Sequence, residues 1–241
     1  MRLIVTRPEE DGRPLAERLE AMGHEVILAP LLSIRPRHPL AVPERPYQAV
    51  LITSANGARA VAEAEGMARL KKARAFAIGP ASSMAAYDAG FLSVFEAEGD
   101  VAALARSVRE LLIPEAGPLL YVSGAVTAGD LEGSLEAAGF DVDRVIAYDA
   151  MPAGTLPHDS SAALREARAD GVLLFSPRTA AIWAELVSAA GLEQAAHRLV
   201  HYCLSRNVAE TLVESWGPSL DLRVASRPEE DALLDLIGAA A

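Results

Sequence analysis

The chain has 241 residues, 51% of them hydrophobic and 23% charged, a composition that excludes disordered and fibrous classes. Its 22 basic against 33 acidic side chains leave a net charge of -11, which excludes a general nucleic-acid or anionic-membrane surface, because such binding rests on a basic face. A pocket for an acidic small molecule needs only a few local donors and is not excluded.

Cys203 is the only cysteine, so no internal disulfide forms and the chain suits a reducing compartment. Leu3-Ile4-Val5 is too short an apolar run for a signal peptide or a membrane span, so the expected location is the cytoplasm. From there, short apolar runs alternate with segments of helical period, the βα pattern of a parallel sheet covered by helices. A strand over 3–6 leads to a helix from Pro8 to Met22, with Leu15, Leu19 and Met22 on one face and Glu9, Glu10 and Asp11 in its first turn. Gly23 closes that helix before a strand over 26–28. Next come a strand over 49–52, a helix from Asn56, a strand over 76–78, a helix after Pro80 and a strand over 92–95. A helix over 101–112, a strand over 119–122, a helix over 129–138 and an extended stretch over 142–147 follow. The last third repeats the alternation: strand 172–175, helix from Pro177, strand 199–202, helix from Asn207, strand 222–224 and a final helix from Pro228.

Two proline-rich stretches, Pro30 to Pro46 and Met151 to Pro157, break this rhythm and read as linkers. Segments 1–35, 36–148 and 149–241 carry net charges of -1, -4 and -6. Internal echoes indicate how the segments join. Val5-Thr6-Arg7-Pro8-Glu9-Glu10-Asp11 is echoed by Ala225-Ser226-Arg227-Pro228-Glu229-Glu230-Asp231, Val50 to Ser54 by Val172 to Ser176, and Ala21 to Val26 by Ala137 to Val142. The first 35 residues cannot bury a core alone, so the expected organisation is a discontinuous α/β domain of 1–35 plus 149–241 and a continuous one of 36–148. The two linkers would then form a double hinge.

In open parallel sheets ligands bind beyond the carboxyl ends of the strands, where helix N-termini expose unpaired N–H groups. The turns expected there are rich in hydroxyls, small residues and a few arginines. Candidate ligand-binding residues are Thr6, Arg7, Thr53, Ser54, Asn56, Gly57, Gly79, Ser82, Ser83, Ser123, Ser176, Arg178, Thr179, Arg206 and Asn207. Taken singly, the Ser, Thr and Asn residues are explained as helix N-caps; recurrence in two domains sets them apart.

Other chemistries are disfavoured. Gly124 to Gly129 has the glycine spacing of a phosphate-binding loop, but Asp130 stands where the lysine belongs, and no GxGxxG follows the first strand. His197 and His201 are four apart, yet His201 falls in a strand and no carboxylate completes a metal site. Cys203 reads as a core thiol, and the acidic runs at 9–11 and 229–231 as partners of helix dipoles.

Leu3-Ile4-Val5-Thr6-Arg7-Pro8, Leu51-Ile52-Thr53-Ser54-Ala55-Asn56-Gly57, Ala77-Ile78-Gly79-Pro80-Ala81-Ser82 and the extended run ending in Tyr148 together resemble the uroporphyrinogen-III synthase family, in order and spacing along nearly the whole chain. The resemblance implies two Rossmann-like domains, each a parallel sheet with helices on both faces, joined by a two-stranded linker with a cleft between them. It implies cofactor-free cyclisation of the linear hydroxymethylbilane to uroporphyrinogen III, with loss of water and inversion of the last pyrrole ring. The implied protein is a cytoplasmic monomer in transient contact with the upstream bilane-producing synthase, with no nucleic-acid or membrane partner. Tyr148 matches the family's tyrosine near the second linker, which implies a proton donor to the leaving hydroxyl; as a residue, it reads equally as a linker tyrosine packing one edge of the cleft. The chain departs from the family at Leu204-Ser205-Arg206-Asn207, where Gly-Pro-Thr-Thr is frequent, and at Asn56, where some members have arginine. A non-catalytic tetrapyrrole- or anion-binding sensor of the same fold is the alternative, expected to carry a further DNA-binding or receiver segment.

Overall fold

Runs such as Leu3-Ile4-Val5, Ala49-Val50-Leu51-Ile52 and Leu119-Leu120-Tyr121-Val122 offer no polar face to solvent, so they are stable only in a sheet covered on both sides. The computed structural model, which describes residues 1–64 and 67–239, buries every one of them. In chain order, β1 (Arg2–Val5), α1 (Glu9–Ala21), β2 (Glu25–Leu28) and β3 (Leu32–Pro36) come first. They are followed by β4 (Ala49–Ile52), α2 (Ala55–Ala62), α3 (Met67–Leu70), β5 (Arg74–Ile78), α4 (Gly79–Asp88) and β6 (Val94–Ala97). Then come α5 (Val101–Leu111), β7 (Leu119–Gly124), α6 (Leu131–Glu136), β8 (Val142–Pro152), α7 (His158–Arg165) and β9 (Gly171–Leu174). The chain closes with α8 (Pro177–Ala189), α9 (Glu193–Ala196), β10 (Val200–Cys203), α10 (Arg206–Trp216), β11 (Asp221–Val224) and α11 (Glu230–Ile237).

The strands form two sheets, ordered β11-β10-β9-β1-β2 and β3-β8-β7-β4-β5-β6. The first is parallel throughout, and in the second β8, β7, β4, β5 and β6 are parallel. β3 lies beside β8; the Ala153 N–H donates to the Leu31 carbonyl and the Arg37 N–H to the Ala147 carbonyl, so one strand rises as the other falls and the pair is antiparallel. Contacts divide the chain into two compact units, Met1–Ser33 with Met151–Ala241, and Ile34–Ala150. These boundaries fall two residues from the cuts suggested by proline content, because β3 and β8 run on through both.

In the unit containing β1, one core cluster joins the sheet to α7, α8, α9 and α10, and another joins its opposite face to α1 and α11. In the unit containing β4, one cluster joins the sheet to α2, α3 and α4, and the other to α5 and α6. Both are parallel sheets with helices on both faces, the expected fold class. The two are one design entered at different points: β9, β10 and β11 run outward from the centre as β4, β5 and β6 do, while β1 and β2 take the places of β7 and β8. Two of the sequence echoes fall on equivalent positions, the ends of β4 and β9 and the entries to β2 and β8. The third links the ends of β1 and β11 within one unit, where Arg7 and Arg18 pair with Glu230, and Arg18 also with Asp231.

Several local expectations are corrected. β6 covers 94–97 rather than 92–95, because Ala75 fixes Val94 opposite it; Leu92 is left exposed, and this edge strand tolerates Glu96. The proline-rich stretch from Pro30 contains a strand, β3, stabilised by its neighbour rather than by its own propensity. α6 is shorter than the 129–138 helix anticipated, since Asp130 caps it, and α11 begins two residues beyond Pro228. The short α3 and α9 and the two-turn α7 carried too little periodic signal to be anticipated.

Candidate functional site

Parallel strands place all their carboxyl ends on one edge, so the helices that directly follow them, α1, α2, α4, α5, α6, α8, α10 and α11, all start at the edge of their own sheet. Their charges then separate them. α1 and α11 have acidic first turns, and α5 and α6 are capped by Asp100 and Asp130, whose carboxylates accept from the N–H groups of Ala103 and Gly133. Those termini already hold an anion. α2 and α8 are capped by neutral Ser54 and Ser176, while α4 and α10 have no side-chain cap. These four starts can accept a carboxylate from outside.

In the unit containing β1, Ser176 Oγ accepts from the Thr179 N–H at 3.1 Å and lies 2.8 Å from Thr179 Oγ1. Thr179 is buried and Arg178 half-buried in the same turn, and Arg206 and Asn207 are exposed at the start of α10. Thr6 and Arg7 are otherwise engaged. Thr6 is fully buried and donates to the Leu173 carbonyl at 2.7 Å, tying β1 to β9. Arg7 donates to Glu230 at 2.6 Å, lies 3.3 Å from Asp11 and covers the Phe175 ring. The acidic runs therefore neutralise arginines as well as helix dipoles.

In the unit containing β4, the strand order reverses between β4 and β7, the crevice where open α/β sheets bind ligands. Ser54 Oγ stands there 2.8 Å from the Tyr148 hydroxyl and accepts from the Gly57 N–H at 3.2 Å. Gly57 lets α2 approach β7 closely: a Cβ there would lie 3.2 Å from the Val122 carbonyl. Thr53 Oγ1 lies 3.5 Å from the Tyr121 hydroxyl, whose pKa burial pushes up. Asn56 accepts from Arg59 at 2.8 Å. Ser123 is buried and accepts from Arg144 Nε at 2.9 Å. Gly79 takes a φ of +69° at the start of α4, whereas Ser82 and Ser83 are buried, with Ser83 Oγ lacking a hydrogen-bond partner among the described residues.

Tyr148 reaches Ser54 because of a register shift. Val142 packs with the α5–α6 cluster, and Val145 and Ala147 with the α2–α4 cluster. Strict alternation would return Tyr148 to the α5–α6 side. Ser123 pairs with Ile146, however, and the next residue, Gly124, with Tyr148, so Ala147 is an extra residue and the parity reverses. Tyr148 consequently packs against the α2–α4 cluster, its ring over Gly124, where a Cβ would lie 2.8 Å from Tyr148 Cζ. The other unit has no such phenol: six residues past Val26 stands Leu32, where six past Val142 stands Tyr148.

Nothing in the sequence marks Arg144 or Tyr121, because an isolated arginine in an extended run and a tyrosine in an apolar one carry no spacing signal. His201, between β9 and β11, is fully buried and packs on Trp216; burial lowers its pKa to about 4. Burial pushes the Cys203 thiol up to about 12. Among the described residues no group of three or more His, Cys, Asp or Glu side chains could hold a metal ion, and no helix is long and apolar enough to cross a membrane.

The fold and the β4–β7 crevice define a two-unit, doubly wound α/β protein with a phenol held at the start of α2. The profile described as HEM4, uroporphyrinogen-III synthase HemD, matches residues 13–235, and the chain belongs to the uroporphyrinogen-III synthase family, enzymes of haem biosynthesis. The chain is similar in structure to uroporphyrinogen-III synthetase from Helicobacter pylori, with 17% identity, 98% of each chain covered and a TM-score of 0.64. It is also similar to a mutant uroporphyrinogen III synthase from the extremely thermophilic bacterium Thermus thermophilus, at 17% identity, with 98% of this chain and 97% of that one covered and a TM-score of 0.58. At such identity these likenesses establish the fold. No curated protein matches the sequence.

Proposed function

We propose that the protein is itself a uroporphyrinogen-III synthase, a lyase that closes hydroxymethylbilane to uroporphyrinogen III with loss of water and inversion of the last ring. The observation that carries this reading is the Ser54–Tyr148 hydrogen bond at the β4–β7 crevice, in a chain that belongs to the family. The reading includes a cytoplasmic monomer that works without a cofactor.

Cleavage of the terminal C–O bond requires a proton on the departing oxygen, which Tyr148 supplies. For the phenol to donate outward, Ser54 must donate its own hydrogen to the phenol oxygen, keeping a lone pair for the Gly57 N–H. The α2 N-terminus thereby supports the phenolate as it forms. The substituted carbon of the last ring attacks the methylene of the delocalised cation left behind, giving a spiro intermediate that rearranges and closes. Loss of a proton from the ring restores the phenol, so the sum is loss of one water. Holding the bilane in the inverting geometry while water is excluded supplies most of the acceleration. Carboxylates of the bilane suit the neutral starts of α2 and α4 beside Tyr148, through backbone N–H groups, Ser54 and Asn56.

The test supplies hydroxymethylbilane freshly made by its synthase and separates the oxidised products by isomer. Isomer III is expected from the wild type, with turnover reduced by about a hundredfold in Tyr148→Phe. Isomer I alone from the wild type refutes the reading, and unchanged turnover in Tyr148→Phe removes the phenol from the mechanism.

A further inference from the structure

We infer that Arg144 is a positioning residue for Tyr148, acting through the end of β7. The inference rests on the reading of Tyr148 as the proton donor. Arg144 lies opposite Tyr121 in the β7–β8 pairing, on the face of β8 that Tyr148 leaves when the register shifts. From that face its guanidinium reaches over the end of β7: Nε donates to Ser123 Oγ at 2.9 Å, and Nη2 donates to the Gly124 carbonyl at 3.2 Å. Its Cζ lies 5.9 Å from the centre of the Tyr121 ring, and Nη1 lies 3.8 Å from Glu132.

Gly124 is therefore held from both sides. Arg144 fixes its carbonyl from one face, the Tyr148 ring rests on its Cα from the other, and the Tyr148 carbonyl accepts from the Ala125 N–H at 3.0 Å. A register shift is where a sheet is least constrained, because the extra residue leaves the ladder unpaired. Without Arg144, the end of β7 would be tied only to the segment whose position it must define, and the 2.8 Å contact between Tyr148 and Ser54 would lose its reference. The fork matters as much as the charge. Two donors in one plane hold a hydroxyl and the next carbonyl together, which a lysine cannot do. With these partners occupied, the guanidinium is built into the fold, so its loss should affect the chemical step and not the capture of substrate.

The experiment uses the full chain as Arg144→Met and Arg144→Lys, with tyrosines labelled at Cζ and the Tyr148 resonance assigned by its disappearance in Tyr148→Phe. Both variants are expected to move or broaden that resonance, to lower kcat by about tenfold and to leave KM within about twofold, with lysine failing to rescue. An unmoved resonance in folded Arg144→Lys overturns the inference. So does a raised KM at unchanged kcat, which would make Arg144 a substrate-binding residue, or unchanged turnover where Tyr148→Phe is impaired. A displaced resonance together with a silent Tyr148→Phe supports the structural link while refuting the reading of Tyr148 as the donor. Should Arg144→Met fail to fold, Arg144→Lys, which keeps the charge and the apolar stem, decides the question.

Discussion

Ser54 has two separable functions in the geometry described, and Ser54→Ala tests both. As the N-cap of α2 its hydroxyl accepts from the Gly57 N–H, and losing such a cap costs about 1 kcal/mol of stability. As the partner of Tyr148, 2.8 Å away, it would in the proposed mechanism donate to the phenolate that exists only while the proton is on the leaving oxygen. A hydrogen bond to a charged group is worth roughly 1.5–3 kcal/mol, which converts to about a ten- to hundredfold loss in kcat with KM little changed. Asp100→Ala is the control, since Asp100 caps α5 through the Ala103 N–H at 2.9 Å at a helix start whose own acid excludes a carboxylate ligand. It should lose comparable stability and keep its turnover. The measurements are urea denaturation of both variants and initial rates of isomer III formation. Equal kcat losses in the two would trace the effect to the fold, and an unchanged kcat in Ser54→Ala would refute the assignment of Ser54 as the phenolate donor.

Two further outcomes are expected. His201 is neutral in the fold, with a pKa of about 4 against 6.5 ordinarily, so between these values the unfolded chain holds one more proton and stability falls as pH falls. Over that window the loss amounts to about 3 kcal/mol, and denaturation of His201→Leu at pH 7 and pH 4.5 should show a shallower pH dependence than the wild type; identical slopes would contradict the burial argument. Gly124→Ala should push the Tyr148 ring away from Ser54, lowering kcat at least about tenfold at a cost in stability of about 1–3 kcal/mol, checked by initial rates and circular dichroism.

The alternation of short apolar strands with helices is visible in the sequence because a strand buried on both faces has no polar residue to conceal it, and a helix start needs a cap. Ser54 and Ser176 could be read as caps from their place at the ends of two echoed strands, and the structure has them accepting from N–H groups three residues on. The relation between the two sheets, with equivalent strands entered in a different order, was partly visible in the same echoes. Arg7 shows where such reading stops. Beside a hydroxyl at a strand end it has the composition of an anion donor, yet its partner Glu230 lies at the far end of the chain.

The strands, the helices, their order and the family motifs are local properties of the chain, set by periodicity and by capping chemistry within a few residues. Which hydroxyls remain open to a ligand, which helix starts are already neutralised, and which face of β8 carries Tyr148 depend on contacts between distant segments. A single extra residue, Ala147, reverses the parity of a strand, and no pattern in the sequence marks it, because the shift is defined by the pairing of β8 with β7 and by the space that Gly124 leaves for a ring.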